Sequence, residues 1–138
     1  MKLMKKNDGK EFDRVCALIR QALHMEHWRC EYEQECENPE HGDDANATCF
    51  APPLGNRRVW IHIKKPFYED SSAEQQRRTL IHEHVHALLS PYDQASVEVR
   101  DLLHRSDRDS ASFLFKAASE GVTDHLEAVL WDLLRERF

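Results

Sequence analysis

Residues 79–89 read Thr79-Leu80-Ile81-His82-Glu83-His84-Val85-His86-Ala87-Leu88-Leu89. Leu80, Ile81, Val85, Leu88 and Leu89 recur at three- and four-residue spacing, which predicts an amphipathic helix with its apolar side buried. His82 and His86 stand four apart, so both imidazoles project from one face. Glu83 follows His82 and lies near that face. His84 points to the opposite side and reads as a structural residue. Upstream, Ser71 with Glu74 and Ser72 with Gln75 both fit a capping box. Downstream, Pro91 predicts that the helix stops at about Leu89. Two histidines and a glutamate in the middle of an apolar helix are costly to bury without partners. That cost is the first sign of a bound cation.

Working outward, Phe12, Val15, Cys16, Ile19, Ala22 and Leu23 share one face and predict a helix over 10–25. In 28–35, Trp28, Cys30 and Tyr32 alternate with charged residues, the pattern of a half-buried strand. The composition of 37–46 is that of a loop. A short strand over 47–51 ends at Pro52-Pro53, and Leu54-Gly55-Asn56 reads as a turn. Over 57–64, Val59, Ile61 and Ile63 face one way and Trp60, His62 and Lys64 the other. This strand is read as a candidate sheet edge with which an extended peptide could pair. A further helix is expected over 94–104 and a polar connection over 105–109. The last helix, 110–135, carries Leu114, Ala117, Ala118, Val122, Leu126, Val129, Leu130 and Leu133. Gly121 inside it lowers helix stability by about 1 kcal/mol relative to Ala, and allows close approach of another helix or a metal site. The order predicts one α+β domain over 1–138, with a small antiparallel sheet packed against the helix of 79–89 and the C-terminal helix.

The chain has 138 residues, 41% of them hydrophobic and 32% charged. That length buries a real core without staples and fits a folded soluble chain. A formal net charge of −6 disfavours nucleic acid as a partner, because duplex binding rests on cationic neutralisation of phosphates. The doublets Arg57-Arg58, Lys64-Lys65 and Arg77-Arg78 read as solvated charge. The N-terminal lysines precede no apolar run of secretory type, and no run approaches membrane-span length, so the expectation is a cytoplasmic protein with no membrane partner. Four cysteines in such a chain are expected to be reduced. Cys30, Cys36, His41 and Cys49 offer donors for a second, structural zinc, but lack the short Cys-x-x-Cys knuckle.

His82-Glu83-His84-Val85-His86 has the form H-E-x-x-H, in which two histidines on one helical face bind zinc and the glutamate serves as general base. A catalytic zinc takes three protein ligands and keeps one position open. Glu120 is chosen as the third ligand. Asp124, one turn later, is chosen to accept a hydrogen bond from the outer nitrogen of His82 or His86. Glu98, His104 and Glu127 are rival third ligands, and Asp124 could itself be that ligand.

With Glu120-Gly121-Val122-Thr123-Asp124 downstream of the motif, these residues resemble the gluzincin peptidases. Over 10–134 the chain more closely resembles the small zincin-like metallopeptidases encoded by phages and prophages. The likeness lies in a short first helix, the strand with Trp28, Cys30 and Tyr32, the T-L-x-H-E-x-x-H-x-L-L helix, and Glu120 followed by Leu126 and Leu130. The specific element is H-E-x-x-H. The resemblance implies a minimal metallopeptidase core acting on a protein or peptide substrate. In larger zincins a Tyr or His also donates to the oxyanion; Tyr68, Tyr92, His62 and His125 are the candidates here.

The expected function is therefore zinc-dependent hydrolysis of peptide bonds, with Glu83 activating water. One alternative is a catalytically silent, zinc-stabilised binding or regulatory protein, possibly phage-encoded, whose site is closed by a fourth ligand such as His104, His125 or Asp124. Another is a zinc hydrolase for a different amide, in a small molecule or cell wall.

Overall fold

The computed structural model describes residues 1–6, 9–34, 46–50 and 57–138. The expected loop of 37–46, apart from Asn46, the Pro52-Pro53 stop, the turn at 54–56, Cys36 and His41 lie outside these residues.

The first helix, α1 (Gly9–Ala22), buries Phe12, Val15, Cys16 and Ile19, the face its spacing predicts. It ends three residues earlier than expected, through a Schellman-type closure. Met25 N–H donates to Arg20 O at 2.8 Å and His24 N–H to Gln21 O at 3.2 Å. His24 takes the left-handed position, φ 54°, that glycine usually fills.

Three strands follow: β1 (Arg29–Gln34), β2 (Ala47–Phe50) and β3 (Arg58–Ile63). They form one sheet in the order β1-β3-β2. The chain leaves β1, runs to the far edge as β2 and returns through the centre as β3. This corrects two expectations. The sheet is mixed, because β1 pairs parallel with β3 from Arg29 opposite Arg58 to Gln34 opposite Ile63, while β2 pairs antiparallel with β3. The strand of 57–64 is central, not an edge. Its Val59, Ile61 and Ile63 are fully buried, which suits a strand paired on both sides. The other face carries a polar and aromatic ladder: Trp60 Nε1 donates to Glu31 at 3.0 Å, and the Arg58 guanidinium lies 4.6 Å over the Trp60 ring.

The short helix α2 (Lys65–Glu69) turns the chain into α3 (Ala73–Leu102). Of the two capping boxes the sequence offers, the fold uses Ser72 with Gln75. Ser71 instead donates to Pro66 O. The expected stop at Pro91 and separate helix over 94–104 are replaced by one 30-residue helix with Pro91 inside it. A 3₁₀ turn at Arg105–Asp107 leads to α4 (Arg108–Leu134), which packs back along α3 as a long hairpin. The main core joins α1, β3, α2, the first half of α3 and the end of α4, through residues such as Ile19, Ile61, Phe67, Leu80, Val85 and Leu134. The described part of the chain is thus a mixed helix-and-sheet fold. Among its residues no helix is long and apolar enough to cross a membrane.

Candidate metal centre and its cleft

α3 supplies the histidines and α4 the carboxylates. Leu80, Ile81 and Val85 are fully buried and turn the opposite side of α3 toward α4. That side presents His82 and His86, whose Nε2 atoms stand 3.1 Å apart. Glu120 reaches across from α4. Its Oε2 lies 3.8 Å from His82 Nε2 and 3.6 Å from His86 Nε2. Bonds of about 2.0–2.2 Å to a four-coordinate zinc put neighbouring ligand atoms about 3.3–3.6 Å apart. The observed separations bracket that range, and two imidazoles with one carboxylate are a donor set that suits zinc. The residues therefore fit such an ion. Among the described residues no fourth His, Cys, Asp or Glu atom joins this trio.

His82 is oriented from its other nitrogen. Glu127 Oε2 lies 3.3 Å from His82 Nδ1; as a carboxylate it accepts a hydrogen bond from Nδ1–H, the tautomer that puts the lone pair of Nε2 toward His86 and Glu120. The second Glu127 oxygen accepts from Arg78 Nε at 2.8 Å. Asp124, expected in this role, is 70% exposed and stands 3.7 Å from His82 Nδ1, outside hydrogen-bond reach. Glu120, Asp124 and Glu127 follow one another at spacings of four and three. The helical periodicity that singled out the first two therefore also carried the third.

Glu83 is buried beside the histidines. Burial, then the Glu120 charge, pushes its carboxyl up to about 7, partly offset by Lys64. Burial and the nearby His82 hold His86 below the usual imidazole range. His84 faces the core. Its Nδ1 donates to Leu80 O at 2.7 Å, and its Nε2 accepts from the Tyr32 hydroxyl at 2.8 Å.

An open cleft of about 680 Å³ lies over the centre. His82, Glu83 and His86 line it, β2 contributes Ala47 to Phe50, and Asp93, Lys116 and Glu120 form part of another side. Sequence reasoning did not place β2 here, because which strand ends at the edge depends on long-range pairing. The four oxyanion candidates lie outside this lining. Tyr68 donates to Gln34, His62 pairs with Glu33 across the sheet, and Tyr92 and His125 are exposed. Glu98 and His104 are also exposed, with His104 bonded to Ser106 beyond the end of α3.

No protein family, curated protein or solved structure matches this chain.

Proposed function

We propose that this protein is a zinc-dependent hydrolase of the zincin type that cleaves peptide bonds. The observation that carries the reading is the convergence of His82 Nε2, His86 Nε2 and Glu120 Oε2 from two helices, within 3.8 Å of one another, on a cleft that Glu83 also lines. His82, His86 and Glu120 would hold the ion, with Glu127 keeping His82 in the ligating tautomer. When bound, zinc supplies a Lewis acid that polarises a carbonyl and acidifies water.

The remaining steps belong to the chain. Glu83 takes the proton of a water in the cleft as that water attacks the carbonyl carbon. It then delivers the proton to the departing amine nitrogen, so the C–N bond breaks with a neutral leaving group. β2 lines the cleft with Ala47 to Phe50 and ends the strand order β1-β3-β2, and an extended substrate backbone would run along that edge. That edge takes the part the sequence suggested for the strand at 57–64. The cleft that His82, Glu83, His86 and Glu120 line supports catalysis over a closed, structural site.

The test combines metal content with cleavage. Purified wild type should hold close to one zinc per chain and cut a proteome-derived peptide library, read by mass spectrometry. Glu83→Gln should retain the metal and lose cleavage. A zinc-loaded wild type that leaves the library intact would return the chain to the silent, zinc-stabilised binding reading.

A further inference from the structure

We propose that the trough between α3 and α4 is a substrate subsite that holds a carboxylate on Lys116, two to three residues from the bond to be cut. The assignment rests on the hydrolase reading for the position of that bond, but the subsite itself is a property of the helix hairpin.

The cleft over the metal centre continues into a second cavity of about 270 Å³ along the hairpin. Asp93, Val97, Lys116, His86 and Glu120 line both spaces, so they form one path. The volume approaches the lower end of ligand pockets, about 300 Å³, and suits a residue or two of peptide. Charge is segregated along it. Glu120 and Asp93 lie toward the metal, and Asp93 is already satisfied by the Ser119 hydroxyl at 2.8 Å. Lys116 comes one helical turn further along α4, about 6 Å beyond Glu120 by helix rise. Arg100 lies seven residues past Asp93 on α3, about 10 Å further out. Between them stand Val97 and Phe115, apolar side chains that the trough leaves accessible.

Arg100 is engaged by its neighbour Asp101 through Nε and Nη2. Among the described residues Lys116 has neither an ion-pair nor a hydrogen-bond partner. Lys116, exposed and without a counter-charge among the described residues, stands at the inner end of that apolar stretch, between it and the reacting centre, and complements an anion on the substrate. Two sources supply the same chemistry: a C-terminal carboxylate, or an Asp or Glu side chain.

The experiment is a binding measurement on zinc-loaded Glu83→Gln protein, repeated on chelator-treated wild type. Calorimetry would compare matched pentapeptides with a free C-terminus or a C-terminal amide, and with Asp or Asn two or three residues from it. The carboxylate-bearing members should bind about tenfold more tightly than their neutral partners, with the difference shrinking in salt. The free-acid and Asp arms identify which carboxylate is read. Lys116→Met should abolish the preference, and Lys116→Glu should reverse it toward Lys-bearing peptides. Equal affinity within each pair, no binding of any peptide, or a preference that survives Lys116→Met overturns the subsite. A Lys116-dependent preference in a wild type that cuts nothing would instead remove the hydrolase reading and leave the subsite standing.

Discussion

Glu127 touches His82 from the side away from the donor trio, and its own position is held by Arg78. It is 15% exposed, against 70% for Asp124. A carboxylate that fixes a ligating imidazole is worth about 10–100-fold in metal affinity. Glu127→Ala should therefore weaken zinc binding by that factor in a chelator competition, whereas Asp124→Ala should change it by no more than a few-fold. Equal losses would return the orienting role to Asp124. His84 makes a contrasting case two residues from His82. The fully buried ring has both nitrogens engaged, and burial pushes its pKa down to about 4. With Nδ1 donating to Leu80 O, Nε2 has to accept, and the Tyr32 hydroxyl is the donor it finds. Tyr32→Phe leaves a buried acceptor without a partner, which costs about 1–3 kcal/mol. Urea unfolding should show that loss while zinc affinity stays at the wild-type value. A drop in affinity instead would mean that His84 acts on the metal site.

At the scale of elements, α4 carries two demands on opposite sides. Its inner side holds Glu120, Glu127 and the core residues Leu130, Trp131 and Leu134. Its outer side leaves Leu114, Val122, Val129 and Leu133 exposed. Gly121 lies on the outer side, and a Cβ built there meets no described atom within 4 Å. The close approach its sequence position suggested is thus absent among the described residues. Gly121→Ala should stabilise the protein by about 1 kcal/mol through helix propensity and a less disordered unfolded chain, with zinc affinity unchanged. Thermal or urea unfolding checks it, and a destabilisation would show that the open side of α4 is needed elsewhere. The same helix shows where local sequence stops informing. Apolar residues on both sides blur its periodicity, so spacing could not tell which leucines are buried. In α3 the pattern from His82 to His86 and the Ser72 cap were legible, because both are contacts within a turn or two. Pro91 misled because a proline in a helix costs about 3 kcal/mol locally, a cost that packing of α3 along α4 can offset. The partner of β1 was not legible either. Parallel pairing with β3 joins residues some 29 positions apart, and nothing in the alternation of Cys30 and Tyr32 specifies it.

For the molecule as a whole, the geometry of the donor trio depends on how α3 and α4 lie together, and α1 holds the far end of that pair. Arg77 on α3 is fully buried, and its Nη2 meets Glu11 of α1 at 2.7 Å. Its Nη1 donates to Ala73 O, its Nε has no partner among the described groups, and its guanidinium lies 5.8 Å from the Phe138 ring. Glu11 also takes two hydrogen bonds from Arg14, which in turn donates to the carbonyls of Arg137 and Phe138. The two ends of the buried pair are therefore unequal. Removing Arg77 leaves Glu11 paired near the surface with Arg14, and deletes a guanidinium that was incompletely satisfied. Removing the Glu11 charge strands Arg77 in the core. Breaking a buried pair in that way costs about 3–5 kcal/mol because a charge is left uncompensated, whereas after loss of Arg77 the Glu11 carboxylate keeps Arg14 as its partner. Glu11→Gln should thus cost about 3 kcal/mol, and Arg77→Met about 1 kcal/mol or less. Acid titration gives an independent reading of the same clamp. The Arg14 hydrogen bond, with the charges of Arg14 and Arg77, holds the Glu11 carboxyl below the usual carboxylate range. A depressed native pKa means that the unfolded chain binds the proton first. The contribution is complete above the ordinary carboxylate pKa and is lost as pH falls through the native value. Wild type should therefore lose stability on acidification more steeply than Glu11→Gln, whose side chain does not titrate. Urea unfolding of both variants and wild type at neutral and acidic pH measures all of these quantities. If Arg77→Met proves the costlier change, or if the acid limb is the same in Glu11→Gln, the end of the α3–α4 pair is held by apolar packing around Phe138 and not by the charge of Glu11.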